Sequence, residues 1–151
     1  MTSDFLAQVN GNGVTIGATF ANGGKIGYDA IVDGISALNV EDESQLFVII
    51  PNAWKADLRK DDDYKAARMG EVVYNGQVGT IAGLPVIATK ALTDRALVMS
   101  KEAVKLFMKK DVEIEQDRNA DTRTNSVYLR TAYVVALVDA TKICKITEAA
   151  A

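Results

Sequence analysis

The 151-residue sequence contains no histidine and a single cysteine. Without histidine there is no imidazole base, no His-ligated zinc and no Ser–His or Cys–His nucleophile, which excludes most templates of small enzymes. Cys144 cannot form an intrachain disulfide, and its place between Ile143 and Lys145 predicts a small buried side chain. We therefore predict a protein that is not an enzyme and has no catalytic, cofactor-binding or metal-binding residues.

Dense basic clusters and long apolar runs are missing too. The formal net charge is −3, which argues against a protein whose affinity comes from neutralising phosphates. No apolar run approaches the roughly 18 residues of a membrane-spanning helix, and the first residues carry no secretory signal. We expect no membrane contact and a protein that stays in, or is assembled from, the cytosol. With 48% apolar residues, the chain is long enough for one domain with a real core.

Three stretches resemble ligand-binding motifs without matching them. The glycines of residues 11–17 are one residue off the dinucleotide fingerprint. The run Asp61–Asp63 lacks the alternate spacing of a calcium loop and is expected to be a solvated loop. Residues 76–83 lack the Gly-Lys-Ser/Thr ending of a phosphate loop. The Gly-rich start, residues 1–26, reads instead as turns with one short strand near residues 14–16.

The stretch from residue 28 to residue 60 predicts a small layered α/β unit. An apolar stripe at every third or fourth position predicts a helix over residues 28–38. A continuous apolar run predicts a strand buried on both faces over residues 46–50. Asn52 is expected to cap a following helix over residues 53–60.

Further along, the pattern changes to short strands. Residues 76–89 predict two short strands hinged at Gly83, and residues 96–99 predict another. The spacing over residues 100–110 fits both a helix and a strand, and we favour a turn at residues 100–103 followed by a strand.

The stretch of residues 126–146 predicts one long, β-branched strand with one face more apolar than the other. Residues 127–138 alone would extend roughly 40 Å, about the diameter of a compact chain of this length. This length predicts a flattened, elongated body.

The long strand is expected to be one arm of a hairpin. Residues 112–115 alternate cleanly and would form the other arm, with the turn near Asp121 and Thr122. In this hairpin Arg130 would lie across from Glu113 or Glu115 on the more polar face.

The order and spacing of these segments resemble the major capsid proteins of tailed bacteriophages, the shell fold of the Hong Kong 97 type. The resemblance is carried by YDAIVDGISAL, LFVIIPNAWKADLRK, GQVGTIAGLPVIAT, VEIEQDRN and RTAYVVALVDATKICKI. It implies an α+β fold in one continuous unit with four parts. These are a Gly-rich lead-in (1–27), an axial lobe with a small sheet flanked by helices (28–99), a peripheral lobe of long antiparallel strands (100–147) and a tail (148–151).

The resemblance also implies a function. It indicates a structural subunit, or a truncated fragment, of a viral or prophage icosahedral capsid that self-assembles around packaged DNA. Full-length relatives of this type form pentamers and hexamers, with scaffolding, portal or decoration proteins as further partners and sequence-independent contact with DNA. The expected location is the virion capsid, and the host cytoplasm before assembly. No N-terminal arm, extended loop or spine helix is recognisable, and residues 4–7 resemble the end of a spine helix, so a truncated chain is expected.

Exposed charged turns are the expected intersubunit contacts, and each can equally be a solvated turn. They are Glu41, Asp42, Glu43, Asp61, Asp62, Asp63, Arg118, Asp121 and Arg123. Two alternatives remain. A small monomeric ligand- or protein-binding module would have a deep apolar pocket, and a shell protein of a bacterial nanocompartment would share the fold.

Overall fold

The computed structural model describes residues 4–7, 14–21, 23–62 and 79–150. It contains eight strands: β1 Ile16–Phe20, β2 Leu46–Pro51, β3 Thr80–Ile81, β4 Leu84–Thr89, β5 Arg95–Ser100, β6 Val104–Asn119, β7 Thr124–Leu137 and β8 Ile143–Glu148. Two helices, α1 Tyr28–Leu38 and α2 Lys55–Lys60, accompany them, and residues 4–7 are also helical. The predicted α+β class is confirmed. None of these helices is both long and apolar enough to cross a membrane.

Six strands form one mixed sheet in the order β1-β8-β5-β2-β4-β3. β1 runs parallel to β8 and β2 runs parallel to β4, whereas β5 is antiparallel to both β2 and β8. β2 lies inside the sheet and is buried except at Phe47, which confirms the predicted strand with two buried faces.

The core has one layer on each face of this sheet. On one face α1 packs through Ile31 and Ile35 against a cluster that includes Val48. On the other face Ile49 belongs to a second cluster, which includes Leu6 of the helical segment of residues 4–7. Neighbouring strand residues point to opposite faces, so β2 contributes to both layers.

Cys144 is fully buried on the α1 side of the sheet. Burial raises the pKa of its thiol, because the charged form would lose its hydration. Its predicted role as a small buried apolar side chain is confirmed.

β6 and β7 form a separate two-stranded antiparallel hairpin. The preceding turn lies at residues 101–103 and the hairpin turn at residues 120–123, both as predicted. The register places Arg130 directly across from Glu113, which confirms the predicted pairing. The Glu113 carboxylate is also bound by the ammonium group of Lys110 on its own strand.

The two strands of the hairpin differ in regularity. The register shifts between Met108 and Lys110 and again between Lys110 and Glu113, so β6 carries extra residues that β7 lacks. Such bulges interrupt the ladder on the bulged strand and increase its twist. β7 therefore keeps a simple alternation of faces over its whole length.

The predicted continuous strand over residues 126–146 is wrong, because β7 ends at Leu137. The Asp139 side chain accepts hydrogen bonds from the N–H (3.0 Å) and hydroxyl (2.6 Å) of Thr141. These bonds stabilise a 3₁₀ turn at Ala140–Lys142, because a short polar side chain competes with the strand ladder. The chain then returns to the six-stranded sheet as β8, so residues 143–147 do not belong with the long hairpin strands.

Three other boundaries also differ from the predictions. The strand in the Gly-rich lead-in covers Ile16–Phe20 rather than residues 14–16 and pairs with β8. Glu148 lies in β8 rather than in a tail. Asn52 does not cap α2 but begins a 3₁₀ turn, Asn52–Trp54, that precedes it, and the cap position of α2 is Trp54.

Gly34 lies where α1 crosses the sheet. A Cβ atom at this position would lie 2.7 Å from Cδ1 of Ile146 and 3.3 Å from Cγ2 of Val98. We expect Gly34→Val to lower the free energy of unfolding by about 1–3 kcal/mol, because it overpacks this contact. Urea unfolding followed by circular dichroism measures the change. Ser36→Val places the same side chain at an exposed position of α1 and should change stability by less than about 0.5 kcal/mol. Equal losses in both variants would contradict the packing argument.

Candidate functional site

The acidic turn of residues 41–43 lies at the end of the six-stranded sheet from which the hairpin leaves. The three side chains are exposed. The Asp42 carboxylate accepts a hydrogen bond from the Ser44 N–H at 2.9 Å. Hydrogen bonds from Ser44 lower the pKa of Asp42. The Lys101 N–H donates to the Gln45 carbonyl at 3.3 Å, so this turn contacts the start of the hairpin connection.

Asp61 lies at the opposite end of the sheet and has a structural role. Its carboxylate oxygen Oδ2 accepts a hydrogen bond from the Tyr28 N–H at 3.0 Å, at the start of α1. A Cβ atom at Gly27 would lie 2.5 Å from the same oxygen, so glycine makes room for this cap. A carboxylate at a helix N-terminus satisfies a free N–H and complements the helix dipole. Asp62 is exposed, and Asp63 lies outside the described residues.

Arg118, Asp121 and Arg123 lie at the tip of the hairpin and are exposed. The Asn119 side chain accepts hydrogen bonds from the N–H groups of Asp121 (3.0 Å) and Thr122 (3.4 Å), which shapes the turn. Arg123 has a positive φ of 52°. β7 is 14 residues long, and a strand advances roughly 3.3 Å per residue, so the tip lies roughly 40 Å along the strand from the base.

The structure therefore does not bring the predicted contact residues together. The predicted residues that the structure describes form three separate charged groups, at the two ends of the sheet and at the hairpin tip. In the part of the chain that is described, no group of three or more Asp, Glu, His or Cys side chains could hold a metal ion. Their predicted role in contacts between subunits stays a prediction.

Two shallow depressions lie on the hairpin. One, of about 330 Å³, is lined by Glu113, Glu115, Tyr128, Leu129 and Arg130. The other, of about 360 Å³, is lined by Asp4, Ala7, Tyr133, Val134 and Val135. Neither is the deep apolar pocket that the binding-module alternative predicts, since both have mixed linings on open strand surfaces.

The most unusual surface consists of apolar residues that the sequence analysis did not identify as exposed. Among the described residues, the large exposed hydrophobic side chains, except Ile87 and Val138, lie on β6 or β7. They are Leu106, Phe107, Met108, Val112, Ile114, Val127, Tyr128, Leu129 and Val134. The available signal was the length of the hairpin, because in the described part of the chain no third strand pairs with these two strands.

The base of the hairpin is tied to the sheet by polar contacts. The Ala103 carbonyl accepts hydrogen bonds from the N–H groups of Val138 (2.9 Å) and Asp139 (3.2 Å). The Lys142 ammonium lies 2.5 Å from the Glu102 carboxylate. The hydrogen bond and charge of Lys142 lower the pKa of Glu102.

Residues 4–7 cover part of one hairpin face. The Tyr133 hydroxyl donates a hydrogen bond of 2.7 Å to the Asp4 carboxylate. This bond raises the pKa of Tyr133. Leu6 is buried in the cluster that Val104 and Leu137 also contact, so the covered part is the base of the hairpin.

No family model matches the chain. The chain is 28% identical over 151 residues to the major capsid protein of Staphylococcus phage phiMR11, in a match covering 97% of the chain and 53% of that relative. Among solved structures, the capsid of the cyanophage P-SCSP1u matches 99% of the chain and 60% of its own chain, with a TM-score of 0.76 and 12% identity.

The chain has the phage capsid fold. The resemblance to phage major capsid proteins is thus confirmed. The same fold occurs in the holo-SrpI encapsulin complex of Synechococcus elongatus PCC 7942, which matches 90% of the chain and 54% of its own chain at a TM-score of 0.65 and 13% identity. The chain spans little more than half the length of these relatives.

The cap at α1 predicts the effect of removing the Asp61 carboxylate. We expect Asp61→Ala to lower the free energy of unfolding by about 1 kcal/mol, because the Tyr28 N–H loses its acceptor. Thermal or urea unfolding of the chain measures the loss. Asp33→Ala removes an exposed carboxylate from the same helix and should leave stability within about 0.5 kcal/mol. An unchanged Asp61→Ala variant would show that the cap contributes nothing.

The ion pair at the hairpin base predicts a pH effect. Because the pKa of Glu102 is lowered in the folded chain, the pair stabilises the fold at pH above the ordinary glutamate pKa. This stabilisation is lost as the pH falls through the lowered value. Lys142→Met should raise the Glu102 pKa towards its ordinary value, as measured by NMR titration of the carboxyl carbon. Lys101→Met, in the same turn, should leave it unchanged, and equal shifts in both variants would rule out the pair as the cause.

Proposed function

We propose that the chain is a structural subunit, or a part of one, of a viral or prophage icosahedral capsid that forms by contact between copies of the protein. The observation that carries this proposal is the match of 99% of the chain to a phage capsid structure. The 28% identity to a phage major capsid protein supports it. The subunit acts through its contact surfaces and catalyses no reaction.

The placement of the charged groups supports this proposal. A subunit of a closed shell contacts several neighbours, so it needs several separate contact surfaces rather than one site. The turn at residues 41–43, the segment of residues 61–62 and the hairpin tip lie at the two ends of the sheet and at the far end of the hairpin. In the longer protein we assign residues 28–99 to the lobe at the symmetry axes and the hairpin to the shell wall. Copies then form pentamers and hexamers.

A closed shell around DNA also implies partners other than further copies of the protein. Packaged DNA would contact the inner wall without sequence preference, and scaffolding, portal or decoration proteins would bind the assembled copies. The protein would lie in the host cytoplasm before assembly and in the virion capsid afterwards.

A bacterial nanocompartment shell is the second candidate function, favoured by the likeness to the encapsulin complex. A capsid and a nanocompartment differ in what the particle encloses. Purified particles that contain DNA support the capsid, and particles that contain an enclosed protein and no DNA support the nanocompartment.

The hairpin tip provides the test of the charged contacts. In the full-length protein, Arg118→Glu together with Arg123→Glu should reduce particle yield at least about tenfold, because like charges across a contact are unfavourable. Electron microscopy and light scattering measure the yield. Arg118→Lys with Arg123→Lys keeps both charges and should retain most particles.

The exposed tip makes a folding defect separable from an assembly defect. The unfolding free energy of the charge-reversed variant should match that of the parent, because both arginines are exposed. Normal particles from the charge-reversed variant would remove these residues from the contacts.

A further inference from the structure

β6 contains extra residues near its middle, within residues 109–112, which we call the paired bulge. Met108 lies across from Tyr133 and Glu113 lies across from Arg130, and the register shifts twice between these two pairs. Each shift adds one residue to β6 that has no counterpart on β7, as in a β-bulge. The two strands therefore differ in length over this short stretch.

Side chains from both strands hold the paired bulge in place. The Thr131 hydroxyl donates a hydrogen bond of 3.3 Å to the Lys110 carbonyl across the hairpin. The Val112 N–H donates to the Asp111 carboxylate at 2.9 Å, so a side chain serves a backbone group of the bulge. The Lys110 ammonium binds the Glu113 carboxylate and so spans the second register shift. The bulge is therefore a defined part of the fold rather than a place where pairing frays.

The paired bulge lies between the base of the hairpin and its outer part. The base begins at the pair Val104 and Leu137, and both residues pack against the core cluster that includes Leu6. The outer part continues from Glu113 to the turn at residues 120–123. A bulge bends its strand and increases the local twist, so the direction of the outer part relative to the base depends on the bulge.

We propose that the paired bulge sets the direction of the outer hairpin relative to the six-stranded sheet, and with it the curvature of the assembled shell. The inference rests on the proposed function, because only a shell has a curvature. The tip carries Arg118, Asp121 and Arg123, so its direction determines where these side chains meet neighbouring copies. The outer part of β6 is roughly 20 Å long, and a change in direction of about 20° moves the tip by roughly 7 Å.

Bulges also protect strand edges from pairing with other chains. Protection requires only that the ladder is interrupted, and the charged residues Lys109, Lys110 and Asp111 already contribute to it. A bulge that sets a direction must in addition be held in one geometry, which the bonds of Thr131 and Asp111 provide. Removing the bulge distinguishes the two roles.

Deleting Lys109 and Asp111 gives β6 and β7 equal numbers of residues between the pairs of Met108 and Glu113. β7 is unchanged, so the hairpin keeps its length and only the direction of its outer part changes. Residual dipolar couplings of backbone N–H groups measure the orientation of residues 124–130 relative to the six-stranded sheet. We expect a change of about 20° or more, and about half of it when Lys109 alone is deleted, because each bulge contributes its own bend.

The matched control is Lys109→Ala with Asp111→Asn. It removes the same two charges, keeps both extra residues and keeps an acceptor for the Val112 N–H, so the parent orientation should persist. Nuclear Overhauser contacts between Glu113 and Arg130 check the register of each variant, and the single deletion alone decides if the double deletion does not fold. An unchanged orientation in the deletion variants, or an equal change in the control, overturns the proposal. An unchanged orientation together with aggregation assigns the bulge to edge protection instead.

The full-length protein tests the effect on curvature. The double deletion should change the diameter of the particles or leave them unclosed, whereas the control should form particles of the parent diameter, as measured by electron microscopy. Particles of unchanged diameter from a deletion variant whose hairpin has turned would overturn the link to curvature. A parent protein that forms no particles overturns the proposed function instead, and it leaves the measured orientation of the hairpin standing.

Discussion

The antiparallel pairing of β5 with β8 holds both ends of the hairpin. Met99 pairs with Ile143 at one end of these two inner strands of the six-stranded sheet, and Val104 pairs with Leu137 where the hairpin begins. The chain leaves the sheet from β5 and returns to it in β8, so the hairpin begins and ends at neighbouring strands. Because a two-stranded hairpin is at best marginally stable alone, this anchor and the residues packed at its base determine where the long strands point.

The sequence predicted individual strands and helices better than it predicted which strands pair with each other. The alternation near Glu113 and Arg130 was sufficient to predict the hairpin and to narrow the partner of Arg130 to Glu113 or Glu115, because both strands are close in sequence. β1 and β8 are far apart in the chain, and a period-2 pattern does not specify which distant strand it pairs with. The break after Leu137 depends on hydrogen bonds of one side chain, Asp139, within an otherwise strand-like sequence.

The sequence was also insufficient to predict the roles of the candidate contact residues. Asp61 and Asp62 are adjacent acidic residues, but only the geometry shows that the Asp61 carboxylate caps α1 at the Tyr28 N–H. Similarly, an alternating apolar pattern predicts an apolar face whether that face is buried in the chain or exposed. Leu129 and Val135 share this pattern, and they differ tenfold in exposed fraction, 70% against 7%. Only the arrangement of the other elements separates them.

The buried and the exposed apolar residues of the chain differ in what they contribute to the stability of the fold. The residues that hold the fold, such as Ile31, Val98 and Ile146, lie in clusters around the six-stranded sheet. The apolar residues far out on the hairpin, such as Ile114 and Leu129, are exposed, so they contribute little to the packing of these clusters. Because surface substitutions away from packed features usually change stability little, the stability of the six-stranded sheet depends on the buried clusters much more than on the outer hairpin.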